Sequence, residues 1–110
     1  MITLHLRYTI DPNKISDIRA YAKAEQKPIE ESGGKIIGYF LPTDFAGATN
    51  EAFGLIDFPS LAEYEIYRAK LAAHPLHIES AEALQRTGAL LSIQRSLIQR
   101  VEPTEGRDRD

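Results

Sequence analysis

Residues 2–10 read ITLHLRYTI, and the alternation in them is complete. Ile2, Leu4, Leu6, Tyr8 and Ile10 fall on one set of positions, and Thr3, His5, Arg7 and Thr9 fall on the other. A period of two belongs to a β-strand, whose successive side chains leave on opposite faces of the sheet. One face is therefore committed to a core. The other carries His5 and Arg7 side by side and is either a solvated surface or the lining of a binding cavity.

After this strand, Asp11-Pro12 supplies a helix cap and a proline for the first turn, where a missing N–H is harmless. Ile15, Ile18, Ala22 and Ile29 mark the buried stripe of that helix. Pro28 is expected to kink or restart it near Lys27, and Gly33-Gly34 to end it. The mixed-sign run from Lys23 to Glu31 reads as a solvated face. KIIGYFLP, residues 35–42, and AFGLIDF, residues 52–58, then read as two strands of a hairpin. Ser60 and Glu63 form an S-x-x-E capping box that opens a helix carrying Leu61, Tyr64, Ile66 and Leu71. That helix should break at His74-Pro75, continue as a further segment to about Thr87, and stop at Gly88. The last strand is LLSIQRSLIQRV, residues 90–101.

The order strand, helix, strand, strand, helix, strand predicts an α+β, ferredoxin-like βαββαβ domain over residues 1–102, with helices on one face of an antiparallel sheet. Residues 103–110 are charged, lack a large apolar side chain, and read as a disordered tail. With 110 residues there is room for one domain. A net charge of −3 without a Lys/Arg cluster argues against nucleic acid. The absence of cysteine excludes disulfides, thiol nucleophiles and cysteine metal sites. Neither a signal peptide nor a membrane-length apolar run is evident, so a cytoplasmic protein is expected.

The second and third strands break the pattern of a one-sided sheet. Ile36, Ile37, Tyr39, Phe40 and Leu41, and then Phe53, Leu55, Ile56 and Phe58, put apolar groups on both faces. A large exposed apolar patch usually marks an interface. The expected cover is a second copy packed sheet against sheet, with His5 and Arg7 in or beside the joint cavity.

The stretch GGKIIGYF, Gly33 to Phe40, resembles the GGKxxGYF signature of the NIPSNAP family. Tyr8-Thr9-Ile10-x-Pro12, the YRAKLAAHP run from Tyr67 to Pro75, and Gln94-Arg95-Ser96 fit the same family at matching places. The resemblance covers residues 1 to about 102 and implies a dimeric α+β barrel related to the antibiotic-monooxygenase-like families. Two features differ from the family's usual pattern. Leu6-Arg7-Tyr8 stands where L-R-x-Y is common, and Leu76-His77 stands where an aromatic often follows the second helix's proline.

His5 and Arg7 could act together on an anion or carbonyl, with neutral His as base and Arg as charge stabiliser. Structural hydrogen bonds or ion pairs at a dimer interface are the competing use. Gln94 and Ser96 share a strand face and supply neutral donors and acceptors to the same cavity or interface. Tyr39 is a candidate polar-tipped pocket wall, whereas Tyr64 and Tyr67 read as helix packing. Asp57 is a candidate acid, or else the partner of Arg7 or the cap of the following turn. His74 and His77 lie three apart, but Pro75 interrupts the helix between them and no third ligand completes a metal site. No phosphate-binding glycine motif occurs, and no cofactor is implied. The expectation is a homodimer binding a small organic metabolite between sheet and partner, with cofactor-independent oxygenase- or isomerase-like chemistry as in related folds. The alternative is a non-enzymatic interaction protein whose barrel serves only dimerisation.

Overall fold

The computed structural model describes residues 1–103. β1 (Ile2–Ile10) leads through a 3-10 turn at Pro12–Lys14 into α1 (Ile15–Glu31), followed by β2 (Lys35–Phe40) and β3 (Glu51–Phe58). The chain closes with α2 (Leu61–Ala73), α3 (Pro75–Thr87) and β4 (Leu90–Ile98). The four strands make one antiparallel sheet in the order β2-β3-β1-β4. This is the ferredoxin-like α+β arrangement, with β1 and β3 in the centre.

The alternation of β1 is realised as a difference in burial. Leu4, Leu6, Tyr8 and Ile10 are buried, as are Ala52, Ile56 and Phe58 of β3, which share their face. From the helices, Ile18 and Ile29 of α1, Tyr64 and Tyr67 of α2, and Leu84 of α3 complete the core. Phe58 is fully buried and meets Tyr64 edge-on at 5.3 Å and Tyr67 at 4.6 Å between ring centroids. Such aromatic pairs add about 0.5–1.5 kcal/mol beyond the burial of their area.

Local signals set the helix ends. The Asp11 carboxylate accepts from the Asn13 N–H at 2.9 Å, and the Ser60 hydroxyl accepts from the Glu63 N–H at 3.2 Å. At the end of α1, the Gly33 N–H donates to Glu30 and the Gly34 N–H to Ile29, a closure that requires the left-handed backbone of Gly33, φ 110°. The break at His74-Pro75 and the stop at Gly88 fall where the sequence places them.

Two expectations are corrected, at Pro28 and at the end of β4, and the buried side of α2 is defined. α1 runs through Pro28 to Glu31 without restarting. Proline removes one hydrogen bond, but here it lies in the last turn and its ring is buried in the core. On α2 the buried residues are Tyr64 and Tyr67, three apart, while Leu61 and Ile66 are exposed, because Ile66 lies off the stripe that the tyrosines define. Regular pairing in β4 stops at Ile98, short of Val101. The tail expected over 103–110 lies, from residue 104 on, outside the described residues.

Candidate functional site

The open face of the sheet gathers five of the six candidate residues. β1 and β4 align so that His5 stands opposite Ser96 and Arg7 opposite Gln94, while Thr3 faces Asp57 of β3. The His5 ring lies 5.6 Å from the Phe53 ring. Arg7 does not pair with Asp57 and instead binds Glu51 at 2.5 Å. The reason is reach: Glu51 faces Thr9, one same-face position from Arg7, whereas Asp57 faces Thr3. Asp57 is buried, accepts from the Thr3 hydroxyl at 2.6 Å, and has Arg100 at 3.8 Å. Within one chain Arg7 and Asp57 already have charged partners on this face.

Tyr39 is separated from the other five. It faces Gly54 in the β2–β3 ladder, beneath the helices, and its ring lies 6.2 Å from that of Tyr8. Gly54 makes this possible, since a Cβ there would come within 2.9 Å of the Tyr39 ring.

Tyr39 belongs to a cavity of about 140 Å³ between the sheet and the helices. Tyr8 and Tyr39 line it from the strands, Tyr21 and Glu25 from α1, Tyr67 and Arg68 from α2, His77 from α3, and Arg95 from β4. The volume is near the ~150 Å³ that admits a benzene-sized ring. A larger groove of about 480 Å³ between α1 and α3 shares Tyr21 but is floored by alanines, including Ala20, Ala24 and Ala83.

At one wall of the smaller cavity sits a carboxylate that is 1% exposed, that of Glu25. Its Oε1 faces His77 Nδ1 at 2.5 Å, and its Oε2 accepts from the Ser80 hydroxyl at 2.6 Å. A buried charge is costly unless it is hydrogen-bonded, and both oxygens here are engaged. The tyrosines respond to the same enclosure. Burial, opposed by a hydrogen bond with Tyr39 and reinforced by the charge of Glu25, pushes the Tyr8 hydroxyl up to about 12. Burial also raises Tyr21, Tyr39 and Tyr67, helped by the charge of Glu25 and by their neighbouring tyrosines. All four hydroxyls are protonated at neutral pH; that of Tyr39 donates to Tyr8 and that of Tyr21 to Glu25, which leaves those of Tyr8 and Tyr67 to donate elsewhere.

Sequence reasoning passed over Glu25 because it lies in the mixed-charge run Lys23 to Glu31. Its spacing held the signal: Ile18, Ala22, Glu25 and Ile29 follow steps of four, three and four, which is one helix face. The HPLH spacing by itself suggests a metal ligand at His77 and not a carboxylate partner. Glu25 engages His77, while His74 accepts from the Leu76 N–H and meets Glu31 at 2.8 Å. Among the described residues, no group of three or more His, Cys, Asp or Glu is placed to hold a metal ion. Nor is any helix among them long and apolar enough to cross a membrane.

The NIPSNAP family model matches residues 5–103 of this sequence. The chain belongs to the NIPSNAP family. Among solved structures, a NIPSNAP-like domain protein from Burkholderia xenovorans is 22% identical with a TM-score of 0.77, covering 94% of this chain and 88% of that one. Protein Atu4242 from Agrobacterium tumefaciens is 19% identical with a TM-score of 0.79, covering 92% and 94% of the two chains. SnoaB, a cofactor-independent oxygenase from Streptomyces nogalater, shares the fold more distantly, at 13% identity and a TM-score of 0.61 over 93% of this chain and 94% of that one. No curated protein matches this NIPSNAP chain. At these identities the structural likenesses show the fold alone.

Proposed function

We propose that this NIPSNAP protein is a homodimer that binds one small, ring-sized organic molecule per subunit in the cavity between sheet and helices. One observation carries the binding reading: a cavity of about 140 Å³ lined jointly by tyrosines, a histidine, two arginines and the Glu25 carboxylate and by leucine and isoleucine side chains. Small-molecule sites combine apolar lining with a few convergent polar groups in this way. The fold shared with the oxygenase SnoaB makes cofactor-independent chemistry on such a ligand a natural class, by analogy of fold only. Dimerisation is supported by the half-exposed Phe40 and Ile98 at the edges of the open face, with Phe53 and Leu55 between them. A second copy covering that face would enclose His5, Arg7, Gln94 and Ser96 at the joint.

Two measurements test this reading. Sedimentation at micromolar concentration should give a dimer, which Leu55→Asp should split, since permanent interfaces of this kind commonly bury over about 2,000 Å². Amide shift mapping with phenol and cyclohexanone should show perturbation around Tyr39 and Tyr67. Tyr67→Phe should weaken that binding by about 2- to 10-fold, the loss of one neutral hydrogen bond. A stable monomer would remove the dimer, and a cavity that takes up neither probe would leave the interaction-protein alternative in its place.

A further inference from the structure

We propose that His77 is a general base, oriented by Glu25, that moves a proton on the carbon next to a carbonyl group of a small cyclic ketone or related enolisable compound. The proposal rests on the ligand reading above and adds a reaction to it.

Its foundation is the tautomer that Glu25 imposes. An ionised carboxylate only accepts hydrogen bonds, so with Glu25 ionised and the ring neutral the 2.5 Å contact between Oε1 and Nδ1 assigns the ring proton to Nδ1 of His77. In that tautomer Nε2 carries the lone pair, and His77 is among the residues that line the cavity. A carboxylate behind a histidine performs two tasks: it fixes the ring and stabilises the imidazolium that forms when the ring takes up a proton. Ser80 holds the other carboxylate oxygen, at 2.6 Å, so Glu25 is itself fixed in place. The contacts run between elements, since Glu25 is on α1 whereas His77 and Ser80 are on α3.

The remaining walls are suited to the oxygen that such a reaction charges. Tyr8 and Tyr67 offer hydroxyl donors from β1 and α2, Tyr39 of β2 donates to Tyr8, and Arg95 brings a positive charge from β4. In the step itself, Nε2 takes a proton from the carbon beside the carbonyl. The electrons of that C–H bond become the carbon–carbon double bond of the enolate, and the carbonyl π pair moves to oxygen, where the hydroxyls stabilise it. The imidazolium then returns its proton, either to the same carbon or, in a conjugated substrate, to the far carbon, which isomerises it. The reaction consumes no oxidant or reductant.

The test is hydrogen exchange at carbon. Full-length protein in D₂O is incubated with cyclohexanone, and loss of the α-hydrogen signal is followed by NMR. Wild type should exceed the buffer rate by roughly 100-fold or more, the scale of a positioned base. His77→Gln keeps a donor for Glu25 but has no base, and should fall to the buffer rate while ketone affinity stays within about twofold. Glu25→Gln should lower exchange by roughly tenfold or more with little change in affinity, because an amide can face the ring either way. Long-range ¹H–¹⁵N correlation should show one Nδ1-protonated tautomer of His77 in wild type and a mixture in Glu25→Gln. That measurement on wild type stands even if a variant fails to fold, and an Nε2-protonated ring overturns the proposal. Ketone binding without accelerated exchange overturns the base and leaves the ligand site intact. Absence of ketone binding overturns both.

Discussion

The two faces of this sheet are built from the same strands and differ in what encloses them. On the open face, His5 and Arg7 have the residue types of a catalytic pair, yet Arg7 remains 48% exposed and spends its charge on Glu51. On the helix face, β1 presents Leu4, Leu6 and Tyr8, which look like plain core, yet this side holds the cavity and the Glu25–His77 contact. Residue type alone pointed to the first face. Enclosure, which raises the cost of an unpartnered group and strengthens every polar contact, singles out the second.

The sharpest way to break this contrast is to truncate one residue from each face of β3. Phe58→Ala empties a fully buried site between Tyr64 and Tyr67 and should cost about 3–5 kcal/mol in denaturant unfolding. Leu55→Ala, measured where the chain is monomeric, should cost less than about 1 kcal/mol. Equal losses would mean that the open face is as well packed as the core.

An intermediate effect should appear at alkaline pH. The Tyr8 hydroxyl is held at about 12 in the folded chain against 10 when unfolded, mainly through burial. Its contribution is therefore intact below pH 10 and is lost as pH rises toward 12, by about 2–3 kcal/mol in all. Denaturant midpoints should fall over that window, and Tyr8→Phe should flatten the fall. An unchanged slope in Tyr8→Phe would show that its hydroxyl is not enclosed.

The smallest effect belongs to Arg7→Ala. A part-exposed ion pair such as Arg7–Glu51 contributes up to about 1 kcal/mol, so monomer stability should barely change. If the same substitution costs the dimer about 3–5 kcal/mol, a partner copy has buried the pair, and the two faces are more alike than one chain shows.

The fold was legible because its signals are local. The β1 alternation, the Ser60 cap, the Gly33-Gly34 stop and the His74-Pro75 break each depend on a few adjacent residues. The cavity was not legible in the same way. Tyr39 was singled out, but its separation from His5 and Arg7 depends on strand parity carried across the β2–β3 ladder, where the register shifts between Ile36 and Gly38. The spacing of Glu25 puts it on the buried face of α1, but no property of residues 23–31 alone announces its partners His77 and Ser80 on another helix. Pro28 shows the converse: a helix breaker in isolation is tolerated when its ring fills the core.

The strand order β2-β3-β1-β4 also governs how this chain is made. β1 leaves the ribosome before the other three strands, but its neighbours are β3 and β4, so Thr3 waits for Asp57 on one side and for Ile98 on the other. During that interval the future centre of the sheet is a bare strand with a row of large apolar side chains, the kind of segment that pairs with the wrong chain. Only when the final strand is released does β1 cease to be an edge, so premature termination within residues 90–98 yields a chain whose central strand is open to neighbouring copies.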